Sequence, residues 1–436
     1  MTPASPRILR GMTLRFEDDP FSVPAEDSLS FDSDGAVVLA DGKIAETGTA
    51  GDILTRYPET PIDHFPDHLI LAGFVDAHVH YPQTGIIASF GEQLLTWLER
   101  YTFPAEAAFV DADLAAREAT FFLDECLRNG ITTAAVYGTV HPQSVDALFT
   151  DSSRRNMRMA AGKVMMDRNA PPNLLDTAET GYADSKQLIE RWHGKGRNVY
   201  AITPRFAPTS TPVQLEAAGT LWREFPTTLM QTHLSENYDE IRWVAELFPE
   251  NSDYVGVYER YGLVGKGANF GHGIHLRPRE IAALRESGSG ISHCPTSNAF
   301  IGSGLFDMAA MREGDAPLLV GLGTDVGGGS SYSMFDTMKS AYEIAQFRGY
   351  SLHPIKAFYL ATCGGAALLG MEGKVGNLAP GYEADIQVID PRSTPLIAKR
   401  MARSDSISDL LFTQMILADD RAIRQVYIAG EPTLNP

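Results

Sequence analysis

Cysteine is scarce: the chain has three, Cys126, Cys294 and Cys363, far apart and without paired spacing. That excludes a disulfide framework and a thiolate zinc site. Basic runs are missing too. Net charge is −19 with no cluster of Lys and Arg, and a field of that sign repels phosphate backbones and anionic lipid, so neither nucleic acid nor a membrane is an expected partner. The acidity itself reads as a solubility device. No apolar stretch has the length of a membrane span. Residues 1–16 carry two prolines and three arginines without a continuous apolar core, unlike a signal peptide. These absences point to a cytoplasmic protein.

What is present suits a large enzyme fold. Apolar residues make up 44% and charged residues 21% of 436 positions, ordinary globular values in a chain too long for one ordinary domain. Both ends read as short strands broken by turn residues. Residues 36–40 run into Asp41-Gly42, a strong hairpin signal, with 43–46 after it. Residues 384–390 and 424–429 are the counterparts near the C-terminus. Residues 1–68 and 376–436 are therefore expected to form one small β-sandwich domain, with 69–375 as a separate body. That middle part alternates apolar β-type runs with helical stretches such as 113–128 and 211–224. The strand candidates are 69–80, 131–138, 158–166, 199–206, 228–233, 268–275, 290–294 and 318–325. Eight β-α units over about 250 residues predict an α/β fold of the (β/α)8 TIM-barrel type. A doubly wound open sheet is the runner-up, but the glycines of 321–327 miss the dinucleotide fingerprint, the third falling one residue late.

In such a barrel the strand C-termini face the active site. The first strand closes on His78-Val79-His80, whose side chains two apart share a face and can give two nitrogens to one metal ion. A pair of surface histidines on an edge strand is the bland alternative. Downstream strand ends favour the metal: His233 on the fifth, His272 on the sixth and Asp325 on the eighth. His78, His80, His233 and Asp325 form a donor set for one divalent ion, zinc or iron(II), with a position left for water. Such an ion lowers the pKa of its water from 15.7 to about 7. Glu236, three residues after His233, is expected to shuttle the proton, against the alternative of a solvated carboxylate at a helix N-terminus. His272 is expected to orient the water rather than to bind the metal.

His-x-His on strand one, His on strands five and six and Asp on strand eight resemble the amidohydrolase superfamily, whose composite β-sandwich the two termini also fit. A closer resemblance, to the guanine deaminase family, is carried by His78–Gln83, by the Trp97-Leu-x-x-Tyr101-Thr-Phe103-Pro-x-Glu106 segment, and by Thr203-Pro204-Arg205-Phe206. His233-Leu234-Ser235-Glu236-Asn237, His293-Cys294-Pro295-Thr296-Ser297-Asn298 and Gly323-Thr324-Asp325-Val326 add to it. The resemblance implies hydrolysis of guanine to xanthine and ammonia by a homodimer. In that reaction Glu236 would protonate the ring nitrogen, Asp325 would accept the water proton and His272 would stabilise the developing charge. Gln83 offers a donor and an acceptor to a purine edge, Arg205 a donor fork for the 6-oxo group and Phe206 a stacking face; His233 and Glu236 would also face the substrate. For Gln83 and Arg205 the alternatives are a surface amide and a salt-bridging arginine. Trp97, Tyr101, Phe103 and Cys294 are read as packing residues, and Lys163 as structural. The rival functions are deamination of another amino-heterocycle (cytosine, a triazine or an oxidised purine) and a non-catalytic scaffold.

Overall fold

A computed structural model describes residues 6–90, 93–314 and 316–433. Eight short runs that are almost wholly buried pair in parallel around its centre: β1 (Phe74–His80), β2 (Ile131–Tyr137), β3 (Arg158–Gly162), β4 (Val199–Pro204), β5 (Leu229–Leu234), β6 (Ala268–His272), β7 (Gly290–His293) and β8 (Leu319–Leu322). Strands covered on both faces carry continuous apolar runs, which is why the sequence marked all eight. The ring closes beyond β8, where the Asp325 N–H donates to His78 O at 2.8 Å and the His80 N–H to Val326 O at 2.9 Å. Those two bonds hold the eighth strand's exit against the end of the first.

Helices cover the barrel. Ala112–Arg128 begins at Asp111, whose carboxylate accepts from the N–H groups of Asp113 and Leu114, and buries Ala119, Phe122, Leu123 and Cys126. Pro212–Glu224 starts with proline at its first turn behind the Thr211 cap, where the missing N–H costs nothing. Inside the barrel, several buried polar side chains are paired with backbone carbonyls. Asn269 Nδ2 and Ser292 Oγ both donate to Ala77 O at 2.8 Å, and Gln231 Nε2 donates to Val136 O at 3.1 Å.

The termini meet in a separate seven-stranded sheet. Its order is Glu431–Pro432, Ile423–Ile428, Ile386–Ile389, Ile62–Ala72, Arg7–Phe16, Leu29–Ala40 and Lys43–Thr49. One face packs Leu9, Val37, Ile70, Ile386, Val388 and Tyr427 into a common core, while Ile8 and Val38 on the other receive Ile53 of the helix Ala50–Arg56. Asp41 and Gly42 turn the hairpin with φ of 50° and 76°, the left-handed pair that a two-residue turn requires.

Several elements differ from the sequence reading, among them the expected strand 158–166, which divides into Arg158–Gly162 and Val164–Met165. The run 69–80 is two strands: Leu69–Ala72 pairs with Ile389–Ile386 in the terminal sheet, and β1 starts only at Phe74. Gly73 makes the switch where a Cβ would lie 2.2 Å from Thr132 Cγ2. An unbroken apolar run carries no mark of a change of sheet. Near the C-terminus, helices Pro395–Met401 and Ile407–Leu417 intervene between strands, and Phe412 packs edge-on against Tyr342 at 5.2 Å. Among the described residues no helix is long and apolar enough to cross a membrane.

Candidate active site

The period of two in β1 brings His78 and His80 to one face at its C-terminal end, with ring centroids 5.1 Å apart. Asp325 follows β8 with a left-handed backbone, φ 50°, and its Oδ1 lies 3.3 Å from His78 Nε2 and 3.5 Å from His80 Nε2. His233, near the end of β5, faces His80 with the two Nε2 atoms 3.1 Å apart. Its Nδ1 sits 2.7 Å from Arg205 O, so Nδ1 bears the hydrogen and Nε2 keeps its lone pair. Burial drives the pKa of His78, His80 and His233 down, leaving neutral imidazoles, the ligand form. Burial would raise Asp325, but the imidazoles around it, His78 foremost, outweigh this and hold it at about 2.

Both ring nitrogens of His78 and Nδ1 of His80 are buried without a hydrogen-bond partner. Buried polar atoms are rarely left so. Three neutral imidazoles and one carboxylate converging on a common centre fit a divalent cation of the zinc type, and these residues are suited to hold one.

Glu236 and His272 face each other beside this cluster, Oε2 to Nε2 at 3.3 Å. Glu236 does not cap the helix Tyr238–Leu247. That task falls to Asn237, whose Oδ1 accepts from the Asp239 N–H at 2.8 Å, while Glu240 Oε2 reaches back to accept from the N–H groups of Glu236 and Asn237 at 2.8 and 3.1 Å. Glu236 is thereby free, its Oε1 accepting from Ser303 Oγ at 2.8 Å. Burial pushes its pKa up to about 7, against the opposing charge of His272. Burial would lower His272, yet the charges of Glu236 and Asp325 outweigh it and its pKa is raised. His272 Nδ1 lies 2.9 Å from Asn298 Oδ1, and an amide oxygen there requires a hydrogen on Nδ1. Ser235, His272 and Asp325 all have positive φ, at 48°, 70° and 50°, and strained residues of this kind cluster at functional sites.

A cavity opens over the cluster. Every residue the sequence assigned to the purine (Gln83, Arg205, Phe206, His233 and Glu236) lines it. So do Leu94, Trp97, Leu98, Ser297 and Ile301, for which the sequence carries no such signal. Trp97, taken for a core aromatic, has a buried Nε1 without a partner, as does Ser297 at Oγ. Glu106 accepts from both Gln83 and Arg205, so Arg205 is salt-bridged, but within the pocket wall. Cys294 does more than pack under its loop: its sulfur lies within 4.8 Å of ligand atoms of His78, His272 and Asp325. Burial raises its thiol well above the usual range, leaving it protonated, with Ser292 O 3.5 Å away. Lys163 is ion-paired with Asp176 and donates to Val164 O at 3.2 Å, a structural role.

A model of the amidohydrolase family matches residues 69–433. The chain belongs to the amidohydrolase family. Within that family it is similar to the guanine deaminase of Escherichia coli K12, with 48% identity over 95% of this chain and 93% of that protein. The probable guanine deaminase of Deinococcus radiodurans is 38% identical over 97% of this chain and 98% of its own length. These identities place the chain among the guanine deaminases. The solved structure of the E. coli enzyme superposes with a TM-score of 0.95, covering 98% of this chain and 99% of that one at 46% identity. The guanine deaminase of C. acetobutylicum, solved with guanine bound in its active site, superposes with a TM-score of 0.88 at 28% identity, over 99% of this chain and 100% of that one.

Proposed function

We propose that this amidohydrolase converts guanine and water to xanthine and ammonia, with the residues converging on the cavity as its machinery. The observation that carries this is the meeting at one cavity of His80, His233 and Asp325, with His78 buried directly behind them, a buried acid with a pKa near neutrality, and a paired amide and guanidinium. His78, His80, His233 and Asp325 would hold the ion. Zinc suits three imidazoles and a carboxylate, with iron(II) the alternative. When bound, the ion supplies a water acidic enough to be deprotonated at neutral pH.

The chain's own groups do the rest. Gln83 and Arg205 hold the polar edge of the base, and Phe206 lies against its ring. Asp325 Oδ2 accepts the proton released when the water oxygen bonds to C2. Glu236 delivers its proton to the ring nitrogen beside C2. As a carboxylate it then takes the proton of the new C2 hydroxyl and passes it to the amino group, so that C2=O forms as the C2–N bond breaks and ammonia leaves. The proton held by Asp325 returns to solvent while Glu236 is reprotonated. His272, its pKa raised by the charges of Glu236 and Asp325 and its ring held by Asn298, stabilises the oxygen as charge builds on it.

Metal-replete protein is expected to release ammonia from guanine with loss of guanine absorbance. Chelation should abolish this, and Glu236→Gln should lower the rate by roughly 10²–10⁴-fold, the usual share of a general acid–base group. Turnover of another amino-heterocycle but not guanine would overturn the substrate. No turnover of any amine would overturn the enzyme reading.

A further inference from the structure

Glu106 is fully buried and holds one pocket residue on each oxygen. Its Oε1 accepts from Gln83 Nε2 at 2.9 Å, and its Oε2 from Arg205 Nη1 at 2.6 Å. A carboxylate only accepts, a guanidinium only donates, and a primary amide has one end of each kind. The contact with Oε1 therefore decides which way the Gln83 amide is turned. Its NH₂ goes to Glu106 and its carbonyl oxygen is left for the cavity. Arg205, with one amino group tied to Glu106 and Phe103 lying 5.8 Å from its guanidinium carbon, is held in place with donors to spare.

We propose that Glu106 is a positioning residue that sets purine specificity, by locking Gln83 as an acceptor beside Arg205 as a donor. This rests on the reading of the cavity as a guanine site and deepens it. An acceptor next to a donor complements the N1–H and 6-oxo groups of a lactam purine. A purine with bare N1 and C6 sets a lone pair against the Gln83 oxygen and leaves the guanidinium without a partner. Buried groups left unpaired are what make a hydrogen-bonding site reject an analogue. With N1–H held by Gln83, N3 is the ring nitrogen left for Glu236.

Calorimetric binding of hypoxanthine and of unsubstituted purine to metal-loaded protein tests this, since neither carries a 2-amino group to lose. Wild type is expected to prefer hypoxanthine by roughly 10- to 100-fold or more. In Glu106→Gln the new amide gives its oxygen to Arg205 and its NH₂ to Gln83, which must turn its own oxygen away from the cavity. The preference should then fall at least about tenfold, at unchanged metal content. Gln83→Met should lower it as well, and adding Glu106→Gln to that variant should change it little further. An unchanged ratio in Glu106→Gln overturns the proposal, as do additive effects in the double variant. Equal binding of the two ligands by wild type overturns it even where a variant fails to fold. Guanine turnover measured on the same wild-type sample keeps the two readings apart: its absence removes the substrate assignment, whereas turnover with an unaltered ligand ratio removes only the role of Glu106.

Discussion

His272 and Glu236 are both buried and both moved from their ordinary pKa values, in a way that couples them. Each owes part of its state to the other, and His272 owes its orientation to Asn298, 26 positions along the chain. Asn298→Ala frees Nδ1 and lets the ring turn. We expect kcat to fall by about 10–100-fold, the usual effect of losing an outer partner of a site histidine, with KM for guanine and metal content held. A variant that lost metal in proportion to activity would make His272 part of the metal site itself. At this scale the sequence was informative where the spacing was local. His78 and His80 share a face because they are two apart, and Glu236 lies near His233 because it is three residues on. It was silent where a contact crosses the fold. Glu106 meets Arg205 across 99 positions and Gln83 across 23, and Ser303 reaches Glu236 across 67. Trp97 carries no sign in its own segment of whether it faces a core or a cavity, and neither does Cys294.

At the scale of elements, the strand ends and the helix that follows β5 place the site. The eight strands were legible as apolar runs, and the hairpin at Asp41-Gly42 as a turn demanding positive φ. The boundary at Gly73 was not, because apolarity continues through it, and the C-terminal helices were hidden among strand-like segments. The junction of β5 with the helix Tyr238–Leu247 depends on Glu240, which caps two backbone N–H groups and takes the Tyr254 hydroxyl at 2.7 Å. Glu240→Ala leaves those donors buried and unpaired. At about 1–3 kcal/mol for each unsatisfied buried group, a loss on the order of 3 kcal/mol is expected, read as a lower urea midpoint. Tyr254→Phe removes only one neutral partner and should cost about 1 kcal/mol. Equal costs for the two variants would remove the capping account, as would full activity in Glu240→Ala, since the same N–H groups belong to Glu236 and Asn237.

At the scale of the molecule, barrel and terminal sheet are joined by charge as well as by apolar packing. Arg158 on β3 and Arg197, just before β4, both grip Glu383, and Arg197 also grips Asp385 ahead of the strand Ile386–Ile389. Burial alone would raise the Glu383 pKa, but hydrogen bonding to Arg158 and the charge of Arg197 outweigh it and hold it below the ordinary value. A carboxylate depressed in the folded state adds stability above its unfolded pKa of about 4.3, and that stability is lost as pH falls through the lower, folded value. The arginines stay charged throughout this range. The stability difference between wild type and Glu383→Gln, read from unfolding in urea, should therefore be steady from pH 7 to 5 and shrink below about pH 4. Glu383→Gln should lower the unfolding free energy at neutral pH by on the order of 2 kcal/mol, less than the loss of a fully buried pair because Glu383 is partly solvated, and should flatten the acid drop. The amide cannot titrate, so a drop of the same depth and position in Glu383→Gln would place the acid sensitivity elsewhere and leave the joint held by apolar packing.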